Sequence, residues 1–211
     1  MFDRVWVGTR VSLYIALLAT ALDIVIGMTY GAISAYYGGR VDNVMQRIIE
    51  VLVGIPNLVI IILMMLILEP GIIAITLALI ITGWSSSARL IRGQVLRLKE
   101  QEFFLASRSL GAGTFRLIAK HLIPNVIYIV IITLMFTVPS AVFFEAFLSF
   151  IGLGIQPPNA SLGALISDGA DQMRFYPYLL IFPAIVLALI TISFRLLGDG
   201  LRDALDPRMR K

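Results

Sequence analysis

Long uncharged runs alternate along the chain with short clusters of charge. Val11 to Ile33 is uncharged except for Asp23, and Val51 to Leu68 lies between Glu50 and Glu69. Pro70 to Ala88 ends at Arg89, Leu122 to Phe144 at Glu145, and Phe175 to Phe194 at Arg195. Each run is near the roughly 20 residues that a helix needs to cross about 30 Å of hydrocarbon. The pattern predicts an all-α polytopic bundle of five spanning helices forming a single domain over residues 1–211. Proline and glycine inside some spans are tolerated in such bundles. A sixth uncharged run, Ala146 to Ser167, contains "SFIGLGIQPPNASLGALIS". Consecutive prolines cannot continue a helix. This run is expected to be a non-cytoplasmic loop with short helical pieces, part of an external loop over 146–176, rather than a sixth span.

Composition agrees with a bilayer as solvent. Of 211 residues 59% are hydrophobic and 14% charged, against about 45–50% and about 25% in soluble domains. The net charge of +4 is not gathered into one patch, so it argues for membrane orientation rather than nucleic acid. The 89–121 connection holds Arg89, Arg92, Arg97, Lys99, Arg108, Arg116 and Lys120. The connection "YYGGRVDN" holds Arg40, with Arg47 just beyond, and the tail after Arg195 holds Arg202, Arg208, Arg210 and Lys211. With five helices these three regions share a side, and only Arg4, Arg10 and Arg174 face the other. Positive residues mark the cytoplasmic side, so the C-terminus is expected inside and the N-terminus outside. Met1 opens directly on "FDRVWVGTRVSLYIALL" with no leader pattern. An external start of that kind predicts a preceding helix absent from this chain.

Cysteine is absent and His121 is the sole histidine, so no metal cluster is expected. No G-x-x-x-x-G-K-[ST] phosphate loop occurs, so no nucleotide cofactor is expected on this chain. A membrane enzyme would need a set of catalytic side chains near one face, and none is apparent.

Residues 100–125 interrupt the apolar runs with "FFLASRSLGAGTFRLIAKHLIPN", Phe103 to Asn125. Phe103, Ala106 or Ser107, and Leu110 fall at helical spacing on one face. Gly111 and Gly113 suit a helix end that needs a left-handed residue, and Thr114 is placed to cap a second helix. There Phe115, Ile118, Ala119 and Leu122 repeat at i, i+3, i+4, i+7, with Arg116 and Lys120 on another face. The expected object is two short amphipathic helices joined at a glycine elbow, with Pro124 at the entry to the next span. Such a pair fits either lipid or a soluble protein, and the small residues Ala106, Ser107, Gly111, Ala112 and Gly113 favour close approach by a protein.

The stretch resembles the cytoplasmic signature of ABC-importer permeases, E-A-A, three residues, G, nine residues, I-x-L-P. Ala106, Ser107, Gly111, Ile123 and Pro124 stand at its A, A, G, L and P positions, whereas Leu105 replaces the usual Glu and His121 the usual Ile. "EAFLSFIGLGIQPPNASLGALISDG", "LGDGLRDALDPRMR" and "YYGGRVDNVMQRIIEVLVGIPNLVI" are similar to segments of dipeptide, oligopeptide and nickel permeases. The resemblance covers essentially the whole chain. It implies a type I importer permease, a binding-protein-dependent inner-membrane component that usually has six helices. It also implies a second homologous permease, two ATPase subunits carrying ATP and Mg, an external substrate-binding protein, and a bacterial or archaeal plasma membrane. The coupling contact to the ATPases would use Phe103, Phe104, Leu105, Ala106, Ser107, Arg108, Gly111, Ala112, Phe115, Arg116, Ile123 and Pro124. A peptide is the expected cargo, with a nickel chelate as the alternative within the class. An ion-coupled carrier or channel is the alternative outside it.

Two acidic residues are candidates for the translocation pathway. Asp23 lies mid-span, where a charge costs roughly 2.5–3.5 kcal/mol on insertion scales. It is expected to face either the pathway or a hydrogen bond from a neighbouring helix. Glu145, at the external end of its span, is expected at the pathway mouth or among headgroups. Gly27 and Gly31 form G-x-x-x-G and are read as helix packing. Pro56 and Pro139 are candidate kinks. Asp168 and Asp171 are read as a solvated loop face ahead of a contact with the binding protein, and the charged tail Arg202, Asp203, Asp206 and Arg208 as either a buttress to the ATPase or an anchor to lipid.

Overall fold

The computed structural model describes residues 1–69, 71–155 and 159–205. The loop prolines 157 and 158 and the tail positions Asp206, Arg208, Arg210 and Lys211, singled out above, lie outside the described residues, as does Pro70.

Eight helices follow one another among the described residues. They are α1 (Phe2–Tyr37), α2 (Gly39–Gly54), α3 (Asn57–Ile67), α4 (Ile72–Lys99) and α5 (Glu102–Ser109). Beyond these come α6 (Thr114–Phe150), α7 (Leu162–Asp171) and α8 (Tyr178–Leu205). α1, α4, α6 and α8 are long and apolar enough to cross a membrane. The remaining expected span is the pair α2 and α3, bent by 80°. Its cause is local: Pro56 disfavours α geometry in the residue before it, and Ile55 is extended at φ −90°, ψ 126°. Pro56 therefore breaks its helix rather than kinking it, whereas Pro139 lies within continuous helix.

α1 is the axis of the bundle, and α4 packs along it more than any other element does. Gly27 and Gly31 permit that approach. A Cβ on Gly27 would meet Ser87 Cβ at 2.6 Å and Trp84 O at 2.8 Å, and one on Gly31 would run into the Ala88 carbonyl. One core cluster joins Ile15, Ile61, Ile75, Val142 and Leu148 from α1, α3, α4 and α6. A second joins Ile24, Ala35, Val95, Phe104 and Leu122, from α1, α4, α5 and α6, at the polar connection.

The described residues of the run 146–167 include the tail of α6, a turn with Gly152 at φ +83°, and the start of α7. α7 has 10 residues, too few to cross a bilayer, and packs on α6, α8 and α1. It is the short helical piece that the sequence suggests, not a further span. α8 leaves Ile181, Phe182, Ile185, Leu189, Ile192 and Leu196 exposed, an apolar face fit for lipid or another membrane helix.

Candidate functional site: an elbow and an intramembrane cavity

The elbow forms as the glycines suggest. α5 ends at Leu110, and Gly111 takes φ +79°. The Ala112 N–H donates to Ser107 O at 3.1 Å and the Gly111 N–H to Arg108 O at 3.0 Å. This 6→1 and 5→2 pair is a Schellman ending, so the elbow is a defined turn. Thr114 does not cap the next helix as expected. It is the first helical residue, Gly113 holds the cap position without a side-chain bond, and Thr114 Oγ1 pairs with Tyr36 Oη at 3.1 Å.

The buried faces also differ from the periodicity. Phe104 is the anchor, 1% exposed, whereas Phe103 is 41% and Leu110 89% exposed. Eight residues are only two turns, too few for spacing to choose a face. In α6, Phe115 is 85% exposed while Leu117 and Leu122 are buried. Residues Leu117–Leu122 form a π-helical turn. Its i→i+5 bonding widens the turn, so residues five apart share a side. Pro124, which has no N–H to donate, follows directly, and Asn125 Nδ2 donates to His121 O at 2.6 Å. Phe103, Leu105, Ala106, Arg108, Phe115, Arg116 and Pro124 are displayed, while Ser107, Ala112 and Ile123 are half-buried.

Two interactions invisible in the sequence tie together the helices from which the elbow projects. Lys99 Nζ, at the end of α4, donates to Ala35 O at 2.8 Å and Tyr36 O at 2.9 Å, the last carbonyls of α1. Arg92 binds Asp42 with two parallel bonds, Nε to Oδ1 at 2.6 Å and Nη2 to Oδ2 at 2.5 Å. Ser34 Oγ donates to the same carboxylate. The fork geometry fixes α2 to α1 and α4. Asp42 and Arg92 are 50 positions apart, so nothing local in the sequence pairs them.

Glu145 is neither at a pathway mouth nor among headgroups. It is 0% exposed. Ser12 Oγ donates to its Oε2 at 2.6 Å and Ser149 Oγ to its Oε1 at 2.9 Å. Ser12 Oγ also accepts the Leu162 N–H at 3.1 Å, and Ser161 Oγ accepts the Ala164 N–H at the start of α7. The carboxylate is thus the centre of a buried polar knot that seats α7 on α1 and α6. Arg4 and Asp168 pair at 3.4 Å across the same end, both largely exposed.

Asp23 is 4% exposed, and its Oδ1 has no hydrogen-bond partner. It borders a cavity of about 420 Å³ between α1, α4 and α6, with Thr82, Ser86, Ser87, Thr133, Thr137 and Ser140 among its lining. Gly83 makes room, since a Cβ there would collide with the carboxylate. Of the two acidic candidates, the structure brings Asp23 to a cavity and Glu145 to the packed interior. The two are not brought together. Among the described residues no group of His, Cys, Asp and Glu is placed to hold a metal.

A bundle of spanning helices, with an elbow displayed beyond its core and a polar cavity between its spans, has the build of a membrane permease. The comparisons agree. The fold matches a chain of the MetNI methionine ABC transporter, solved in inward-facing conformations, with TM-score 0.75 over 95% of this chain and 97% of that one, at 17% identity. An amino acid ABC transporter matches at TM-score 0.63 and 20% identity, over 98% of this chain and 94% of that one. The model of the binding-protein-dependent transport system inner membrane component matches residues 24–211. The chain is 48% identical over its whole length to the oligopeptide transport system permease protein OppC of Bacillus subtilis, covering 69% of that protein. It is 47% identical, again over its whole length, to the dipeptide permease DppC of the same organism, covering 66% of it. It is 50% identical over 97% of its length to DppC of Lactococcus lactis, covering 60% of that protein. The chain belongs to the family of binding-protein-dependent transport system inner membrane components, and its apolar helices make it a multi-pass membrane protein of the type I importer permease fold. It spans about two thirds of the length of these relatives.

Proposed function

We propose that this protein is the permease subunit of an ATP-driven importer of short peptides. It forms half of the pathway with a second permease and takes its drive from separate ATPase subunits that grip the elbow. The observation that carries the reading is the elbow itself. A Schellman turn anchored by Phe104 and Lys99 presents exposed Phe103, Leu105, Leu110, Phe115, Arg108 and Arg116 at the basic end of the bundle. Aromatic, apolar and arginine side chains together are the composition of a protein interface. Rigid attachment to α1, α4 and α6 would let a push on the elbow move the helices that line the cavity. Peptide as cargo is supported by the names of the relatives, and ATP with Mg would reside on the partners. Basic residues on the elbow side support a cytoplasmic C-terminus. An external binding protein would deliver the cargo on the α7 side.

The test is purification of the full-length tagged gene product from its native membrane, with mass spectrometry of what accompanies it. A second permease and nucleotide-binding subunits are expected. Gly111→Val forces a β-branched residue to φ +79° and should release the ATPases while the permease pair persists. A chain that emerges alone, even after crosslinking, overturns the coupling role.

A further inference from the structure

The cavity beside Asp23 has a chemical bias that the transport reading does not by itself specify. Its hydroxyls are mostly committed as donors. Thr82 Oγ1 donates to Ala78 O, Thr133 Oγ1 to Ile129 O, Thr137 Oγ1 to Thr133 O and Ser140 Oγ to Phe136 O. Each bond uses the one proton of the hydroxyl and leaves its lone pairs free. These four hydroxyls therefore offer acceptors, and Ser86, Ser87 and Asn57 complete the polar lining. Asp23 stands in the same lining, and one of its carboxylate oxygens is buried without a partner. No Lys or Arg reaches Asp23 within ion-pair distance among the described residues. A buried carboxylate without a partner is costly, and the four committed hydroxyls cannot relieve it. A group made only of donors can.

We infer that this cavity is a subsite for a primary ammonium group, seated on Asp23 and ringed by the hydroxyls of α4 and α6; resting on the importer reading, it would receive the amino terminus of a peptide in transit. An ammonium brings three N–H donors, one positive charge and no acceptor, the complement of the carboxylate and the four committed hydroxyls. The volume of about 420 Å³ lies within the roughly 300–1,000 Å³ of small-ligand sites and is more than a bare ion needs. The neighbouring groove shares Ser140 and Phe144 with the cavity and is lined by Arg195. A ligand that extends from Asp23 along this wall meets a guanidinium, which suits a zwitterion.

The experiment uses the full-length gene product with whatever partners co-purify, in lipid nanodiscs and without the binding protein. Binding of radiolabelled trialanine and of N-acetyl-trialanine is measured by equilibrium dialysis, for the native protein and for Asp23→Asn. The native protein is expected to bind trialanine saturably. Asp23→Asn should weaken that at least tenfold. N-acetyl-trialanine should bind the native protein at least tenfold more weakly than trialanine, with no further loss on substitution. Equal binding of the two peptides by the native protein overturns the inference, and that arm does not depend on the variant folding. So does unchanged affinity in Asp23→Asn, or absence of saturable binding. Displacement of trialanine by potassium chloride at equal concentration assigns the site to inorganic cations and also overturns it. The two readings fail separately. A complex that retains its ATPases but does not discriminate the peptides loses the subsite alone. A chain that purifies alone yet discriminates them loses the coupling role alone.

Discussion

Phe103 and Phe104 are adjacent, yet truncating them should have opposite signatures. Phe104 is the buried member, in the cluster with Ala35, Val95 and Leu122. Replacing a packed Phe with Ala costs about 3–5 kcal/mol. α5 has 8 residues, and isolated helices below about 12–15 residues are marginal in water. It is the only buried side chain of that helix, so most of the loss falls on the docking of the elbow rather than on the spans. At about 1.4 kcal/mol per tenfold, the open population of α5 should rise by roughly two to three and a half orders of magnitude. Hydrogen exchange followed by mass spectrometry reads this directly. In Phe104→Ala, amides 102–112 should lose protection by a hundredfold or more, while peptides from α1 and α4 stay protected. Phe103→Ala should leave exchange within about threefold of the native protein, since a half-exposed ring contributes little, and should instead weaken retention of the ATPases. If Phe104→Ala exchanges like the native protein, the assignment of the anchor is wrong. If Phe103→Ala retains its ATPases fully, the displayed face is not the docking face.

Three further outcomes follow from the packing. Gly31→Leu places a side chain against the α4 backbone at Ala88. Overpacking costs about 1–3 kcal/mol or more, so the variant should unfold at lower denaturant in detergent, and an unchanged midpoint would contradict the α1–α4 contact. Glu145→Leu removes the acceptor for Ser12 and Ser149. At about 1–3 kcal/mol per unsatisfied group, α7 should loosen and trypsin should cut faster after exposed Arg174, whereas Glu145→Gln should show the smaller effect. Lys99→Met abolishes both bonds to the end of α1 and should raise exchange at residues 35–38 severalfold. Equal exchange there would show that the lysine does not hold that end.

Much of this architecture could be read from single residues. The uncharged runs located four of the spanning helices, each of which continues past the bounding charges, and Gly27 and Gly31 announced the helix contact that they make. Gly111 announced its left-handed turn because only glycine adopts that geometry without strain. Interactions between distant segments were not legible. Nothing near Glu145 in the chain names Ser12, 133 positions away, so a buried knot read as an interfacial charge. Asp23 was legible as costly, but its orphaned oxygen and the committed hydroxyls around it required coordinates. Phe104 was passed over for Phe103 because two helical turns carry no reliable period. The expected face of the following helix failed for a different reason: its residue count per turn is not constant.

That inconstancy has a consequence for the whole protein. α6 carries half of the elbow and one wall of the cavity on a single continuous rod, with the wide turn at Leu117–Leu122 between them. One residue of an α-helix is about 100° of rotation. The wide turn takes up one residue's worth of that rotation, as slack is taken up in a belt, so the elbow and the cavity wall keep the facing of an ordinary helix one residue shorter. Deleting a single residue from 117–122 would close the wide turn to ordinary helix and leave the elbow facing as it does, whereas deleting one from the regular helix that follows would swing the elbow by about a quarter-turn.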